Sequence, residues 1–327
     1  MKKRLSLLLV LVLLVSSFLV GCGNKEEGEP KEESKEKSYD KVGLVVAGGL
    51  GDRSFYDSSH EGVEKAKEDL GIEYKVYECK NDPSLFNDQL IQASEYAPIV
   101  AVVGFEFYEV VQEVAEEFPE VNYIYVDNEI EGIDNLTTIS YVENEGSFLA
   151  GAFAAMLTQE TSIEGIDEDK VIGMVGGVDL PVIRNFKVGY EAGAKYIDPE
   201  VEVETIFAGD FEDPAKGKES ALALYSRGAD IVYQVAGKTG EGVFEAAEES
   251  GKYAIGVDTD QRYINPDVIV ASMVKKVGLS IYDTIERIQK DELEPGKVYY
   301  YGLEENGIEL SFGDSDMKQF ATDEMLK

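Results

Sequence analysis

The side chains able to do chemistry in this 327-residue chain are mostly carboxylates: 65 Asp+Glu stand against 30 Lys+Arg, with one His, two Cys and no Trp. One His and two Cys exclude a Cys/His zinc cage and a disulfide framework. His60 falls within a helical pattern and reads as packing. Cys79 closes the strand-like stretch Tyr74-Lys75-Val76-Tyr77-Glu78 and reads as a strand-end residue. With so many acids, chance pairs carry no information. The informative ones follow apolar runs: Asp52 after Gly48-Gly49-Leu50-Gly51, Asp127 after Tyr123–Val126, and Asp258 after Ala254–Val257. A carboxylate at the carboxyl end of a buried strand points to where open α/β sheets bind ligands.

Several familiar motifs fail on inspection. Gly49-Leu50-Gly51-Asp52-Arg53-Ser54 lacks the third Gly of a dinucleotide turn, and Asp52 would face a pyrophosphate. The stretch Glu212 to Glu219 ends like a phosphate loop but has Glu at the first Gly and at the Ser/Thr position. It reads instead as a helix start, with Asp213 as N-cap and Pro214 at the first helical position. Val257-Asp258-Thr259-Asp260-Gln261-Arg262 opens like a calcium loop, but Arg262 takes an acidic ligand position. No G-x-S-x-G elbow occurs. The formal charge of −35 repels nucleic acid. The reading calls for no cofactor, no metal and no catalytic residue.

The elements that must position these residues alternate. Apolar, β-rich runs start at Val42, Tyr74, Ile99, Tyr123, Thr137, Val171, Val203, Ile231, Ala254 and Val268. Helical patterns lie between them: Phe55–Leu70, Pro83–Ala97, Phe107–Phe118, Asn144–Gln159, Pro181–Tyr196, Pro214–Arg227, Gly240–Ser250 and Lys276–Lys290. Several runs are continuous Val and Ile, as in strands buried on both faces. The pattern predicts an α/β fold with parallel sheets. Gly-rich turns after Val42 and after Val171 open two similar halves, which predicts two lobes with a ligand cleft between them.

The amino terminus has the layout of a secretory signal. Lys2, Lys3 and Arg4 precede an apolar stretch from Leu5 to Val20, shorter than the ~20 residues of a membrane span. It ends in Leu19-Val20-Gly21-Cys22, which resembles a bacterial lipobox with Cys22 as the lipidated residue. Residues 1–22 are expected to be a lipoprotein signal peptide. Residues 23–40, mostly Lys, Glu, Gly, Ser, Asn and Pro, are expected to be a disordered tether. Together they predict an extracytoplasmic protein anchored to a bacterial membrane by lipid alone.

Four stretches point to a family: Gly51-Asp52-Arg53-Ser54-Phe55-Tyr56-Asp57; Gly173 to Ile183 with Phe186; Phe211 to Lys218; and Gly256 to Gln261 followed by Ser272-Met273-Val274-Lys275-Lys276. Through them the chain, from about Lys41 to Gly313, resembles the basic membrane protein family of substrate-binding lipoproteins, the PnrA-like purine nucleoside receptors of ABC transporters. The resemblance implies a type I periplasmic-binding-protein fold, two doubly wound parallel-sheet domains joined by a hinge. Crossovers between lobes are placed near Tyr141–Asn144, Val257–Asp260 and Glu294–Lys297. The N-terminal lobe takes residues 41–142 plus 259–295, and the C-terminal lobe 143–258 plus 296–327.

The same resemblance implies a nucleoside, by preference a purine nucleoside, captured between the lobes and delivered to an ABC permease. On that reading Phe55 and Phe211 sandwich the base and Asp127 holds the ribose hydroxyls. Asp258 and Asp52 accept from the base, Lys276 or its neighbour Lys275 donates to it, and Gly237, with Thr239 and Gly240, allows close backbone approach. Phe105 and Phe107 are candidates for the wall. Tyr56 and Lys238 depart from the family's pattern, Tyr56 adding aromatic surface and Lys238 a charge. Two other readings use the same residues: a sensory receptor for a nucleoside-like ligand, and an exported nucleoside-cleaving enzyme in which Asp52, Asp127 and Asp258 would act.

Overall fold

The computed structural model describes residues 38–326. The signal peptide, Cys22 and nearly all of the tether lie outside the described residues. Among those described, no helix is long and apolar enough to cross a membrane.

Among the described residues, twelve strands form two six-stranded sheets. The first contains β1 (Lys41–Val46), β2 (Glu73–Glu78), β3 (Ile99–Val103), β4 (Asn122–Val126), β5 (Leu136–Tyr141) and β11 (Val298–Tyr301), in the order β11-β5-β4-β3-β1-β2. The second contains β6 (Val171–Gly176), β7 (Glu202–Phe207), β8 (Ala229–Val235), β9 (Tyr253–Asp258), β10 (Ile269–Lys275) and β12 (Ile308–Ser311), in the order β12-β10-β9-β8-β6-β7. All pairs are parallel except β10 with β12, which set Ser272 opposite Ser311 and Lys275 opposite Ile308. Each sheet is doubly wound. The chain leaves β1 toward β2 and then returns to its other side as β3; β6, β7 and β8 repeat the move. The order therefore reverses at β1/β3 and at β6/β8, the places where such sheets open a crevice.

Among the described residues, eight α-helices connect the strands: α1 (Phe55–Leu70), α2 (Pro83–Tyr96), α3 (Tyr108–Glu117), α4 (Glu143–Leu157), α5 (Pro181–Ile197), α6 (Pro214–Tyr225), α7 (Glu241–Ser250) and α8 (Val277–Gln289). Their ends follow local chemistry. Asp82 accepts from the Ser84 amide at 3.0 Å ahead of Pro83, and Asp213 accepts from the Ala215 amide at 3.0 Å ahead of Pro214. Gly71 ends α1 in the left-handed conformation, φ 72°. Covering helices make the strands apolar on both sides: Val42, Leu44 and Val46 face one core while Val45 faces another. Helices α4 and α5 approach so closely that a Cβ on Gly151 would lie 2.0 Å from the Tyr190 carbonyl oxygen.

Sheet membership divides the chain differently from the expected 259–295 and 296–327. Residues Ile269–Lys275 belong to the second sheet as β10, and Val298–Tyr301 to the first as β11. Helix α8 packs on α1 of the first lobe. The chain thus crosses between sheets at Val142, at Lys276 and within 302–307, and only the first of these coincides with an expected crossover. The β10 run follows β9 after a short turn, so sequence order alone does not reveal that it stays in the same sheet. Strands β11 and β12, of four residues each, are too short to show a pattern.

Candidate functional site

The carboxyl ends of both sheets face one cavity. The first lobe supplies Asp52, Phe55 and Tyr56 beyond β1, Gly104, Phe105 and Glu106 beyond β3, and Asp127 beyond β4. The second supplies Leu180, Val182, Ile183 and Phe186 beyond β6, Phe211 and Glu212 beyond β7, Val235 to Lys238 at the end of β8, Asp258 from β9 and Lys275 from β10. Apolar walls with a few convergent charges are the usual form of a small-molecule site.

At one end the charges are tightly organised. Lys275 is 2 % exposed and donates to Asp127 Oδ2 at 2.6 Å; Glu143 Oε1 lies 3.5 Å from the same ammonium. The ammonium also lies 5.1 Å from the centre of the Phe55 ring and 4.8 Å from that of Tyr141, distances at which a cation is drawn to an aromatic face. Burial opposes the Lys275 charge, yet Asp127, Glu143 and Asp258 outweigh it and raise its pKa. The lysine is therefore a fixed cation. Glu143, at the start of α4, is pushed upward by burial, against the pull of Lys275. Asp258 is likewise raised by burial, against the pull of Lys275 and of the Ser54 hydroxyl, which donates to Asp258 Oδ2.

Asp127 and Asp258 are held in the left-handed backbone region, φ 64° and 65°. Aspartate tolerates that region better than most residues, and there the turn aims its side chain off the strand end. Among the described residues Asp127 Oδ1 is buried without a hydrogen-bond partner, as is Glu106 Oε2. A buried carboxylate oxygen left unpaired is costly, so both oxygens are open acceptors for something that enters the cavity.

A second, aromatic end is formed by Phe105 and Phe211. Phe105 and Phe211 meet across the cleft with centres 6.3 Å apart. Phe211 lies so close to Gly177 that a Cβ there would come within 2.2 Å of its ring. The ring facing Phe211 is thus Phe105, while Phe55 lies over Lys275 and beside Tyr56, centres 5.7 Å apart. Tyr56 has a pKa raised by burial and by Glu106, Glu212 and Asp52, which keeps its hydroxyl protonated.

Asp52, Phe55, Tyr56, Asp127, Phe211, Gly237 and Asp258 all line this cavity. Lys276 does not: its ammonium meets Glu309 at 2.7 Å and Asn306 at 2.9 Å, and Lys275 stands in the cavity instead. Adjacent residues of a strand point to opposite faces, so only the register of β10 could choose between them. Asp52 turns both oxygens to the start of α1. It accepts from the amides of Ser54 (3.1 Å), Tyr56 (2.9 Å) and Asp57 (3.0 Å), while burial pushes it up to about 7. Its place is to shape the turn that presents Phe55 and Tyr56. Phe107, a wall candidate, is fully buried in the first lobe, 5.1 Å from Phe86. Thr239 accepts from the Asp213 amide at 2.9 Å and supports the loop behind Gly237. Sequence reasoning passed over Glu106 and Glu212. Each directly follows a phenylalanine that it did name, Phe105 and Phe211, and that adjacency was the available signal.

Two doubly wound lobes around a partly charged cavity define a solute-binding protein of the type I periplasmic-binding fold. The chain belongs to the PnrA-like family of ABC transporter substrate-binding proteins, whose model matches residues 39–327. It is 33% identical to basic membrane protein D of Borreliella burgdorferi, over 94% of this chain and 86% of the relative. It is 30% identical to the ABC transporter nucleoside-binding protein BmpA of Lactococcus lactis, over 96% and 93%. Among solved structures it resembles an ABC transporter solute-binding protein of Aeropyrum pernix, with a TM-score of 0.77 and 29% identity, covering 83% of this chain and 76% of that one.

Proposed function

We propose that the protein is an extracytoplasmic, lipid-anchored receptor that captures a nucleoside, by preference a purine nucleoside, between its lobes and delivers it to an ABC permease. The observation that carries this reading is the pairing of an open carboxylate with a fixed cation at one end of an aromatic cavity. Among the described residues Asp127 Oδ1 has no partner, while Oδ2 is held by Lys275. A ribose offers vicinal hydroxyls, which donate to a carboxylate and accept from an ammonium; charge-assisted bonds of this kind are stronger than neutral ones. Phe55, Phe105 and Phe211 supply faces for a flat base, whose stacking contributes about 1–3 kcal/mol per base. Gly237, at φ 55°, lets the backbone approach the ligand, and Asp258 holds the Ser54 turn in place. The name of the Lactococcus lactis relative supports the ligand class, and the lipobox at Cys22 supports the anchor.

Calorimetric titration of the refolded protein with purine and pyrimidine nucleosides and with free ribose tests the ligand. Refolding removes ligand carried through purification. Saturable one-to-one binding of purine nucleosides with ribose silent is the expected result. No heat with any nucleoside would leave the family membership standing and end the nucleoside assignment. Release of free base from inosine during the titration would end the receptor reading in favour of an enzyme.

A further inference from the structure

The two unpartnered carboxylate oxygens of the cavity are not equivalent. Asp127 Oδ1 belongs to the end held by Lys275. Glu106 Oε2 belongs to the aromatic end: Glu106 follows Phe105, whose ring meets Phe211, and its charge is felt by Tyr56 and Tyr125. That oxygen packs beside Gly104, where a Cβ would come within 2.8 Å of it, and among the described residues no donor reaches it. Glu212, the other acid at this end, has the charge of Lys238 beside it. Among the described residues no cation stands beside Glu106 in the same way. Burial pushes its carboxyl above the usual range against the pull of its own backbone amide, and Glu212 adds to the rise; Oε2 still lacks a partner, so a donor arriving with the ligand would relieve an unsatisfied atom.

Building on the nucleoside reading, we infer that Glu106 reads the hydrogen-bonding edge of the base and selects bases that present a ring N–H beside an amine. Guanine fits best, since its N1–H and 2-amino group are parallel donors that match a carboxylate. Hypoxanthine keeps the N1–H alone. Adenine sets the lone pair of N1 against the carboxylate and is disfavoured, because an acceptor facing an acceptor leaves both unpaired. Tyr56 adds its protonated hydroxyl at the same end. The selection is a property of this chain's aromatic end, separate from the grip on the sugar.

The test compares the full chain with Glu106→Gln by calorimetry, using guanosine, inosine, adenosine and 1-methylguanosine. The unsubstituted protein should bind guanosine tightest, inosine next, and adenosine about 10- to 100-fold more weakly than guanosine, the usual worth of a paired donor edge. Glu106→Gln should erase most of that ratio by weakening guanosine, with adenosine binding retained as proof of folding. 1-Methylguanosine, which lacks the N1 donor, should bind both proteins with the same reduced affinity. A guanosine-to-adenosine ratio near one in the unsubstituted protein, or one left intact by Glu106→Gln, would overturn the role of Glu106 while leaving nucleoside binding standing. Failure of every nucleoside to bind the unsubstituted protein would instead bring down the underlying reading.

Discussion

Asp127 and Asp258 occupy matching places in the two lobes. Each ends the strand next beyond the switch point, β4 in the order β2-β1-β3-β4 and β9 in the order β7-β6-β8-β9, and each has a left-handed backbone. Each is also held by the opposite lobe: Asp127 by Lys275 from the second sheet, Asp258 by Ser54 from the first. The difference is in what they keep free. Asp127 is paired with a cation and retains an open oxygen, which suits an anion that binds ligand. Asp258 accepts a neutral hydroxyl, and burial raises its pKa, which suits a latch between lobes. One fold repeated twice has thus placed the same side chain twice, and the partner across the cleft has divided their work.

The comparison breaks most sharply at Lys275. Lys275→Met leaves Asp127, Glu143 and Asp258 buried together without their cation. The expected loss is about 3–5 kcal/mol of stability in urea unfolding, together with the loss of nucleoside binding. A variant as stable as the parent would show that the three acids do not depend on this lysine. Next, Asp127→Ala should weaken every ribose-bearing ligand by about 100-fold in calorimetry; it also breaks a buried pair, but Glu143 and Asp258 still face Lys275, so the loss of stability should be smaller than for Lys275→Met and the fold should survive. Equal inosine affinity before and after would remove Asp127 from the site.

Asp258→Asn should do less to binding and instead change the response to pH. Because burial raises the folded-state pKa of Asp258, its contribution to stability is present at low pH and is lost as pH rises through that raised value. Urea unfolding of the parent should therefore weaken from acid toward neutral pH, and Asp258→Asn should flatten that decline. An unchanged slope would assign the pH dependence elsewhere. The smallest effect is expected at Lys276, whose bond to half-exposed Glu309 is of the surface kind. Lys276→Ala should cost less than about 1 kcal/mol and leave nucleoside affinity unchanged, in contrast to its neighbour. Lost affinity would return Lys276 to the site.

Much of the scaffold was legible before any coordinates. The span predicted for Phe55–Leu70 is the helix observed, and Asp213 and Pro214 start α6 as their types require. These are local effects of capping, proline geometry and apolar spacing. The edge strands Val298–Tyr301 and Ile308–Ser311 were not anticipated: four residues cannot display a period, and their pairing depends on partners more than a hundred and about forty residues away, respectively. Missing them moved the expected lobe boundaries and two of the three crossovers. In the site, the strand-end aspartates could be named because parallel sheets bind at their carboxyl ends. Glu106 could not, because its neighbours Tyr56 and Glu212 come from distant parts of the chain.

By itself, then, the sequence determined the alternation of strands and helices, the family and the carboxylates at the strand ends, since each depends on residue type and short-range order. The tertiary structure alone decided that Lys275 rather than Lys276 enters the cavity, that Phe105 faces Phe211, and which carboxylate oxygens remain open. Those outcomes depend on strand register and on groups brought together across the cleft. No local pattern encodes them, because an unpaired oxygen is defined by every neighbour that could have reached it and did not.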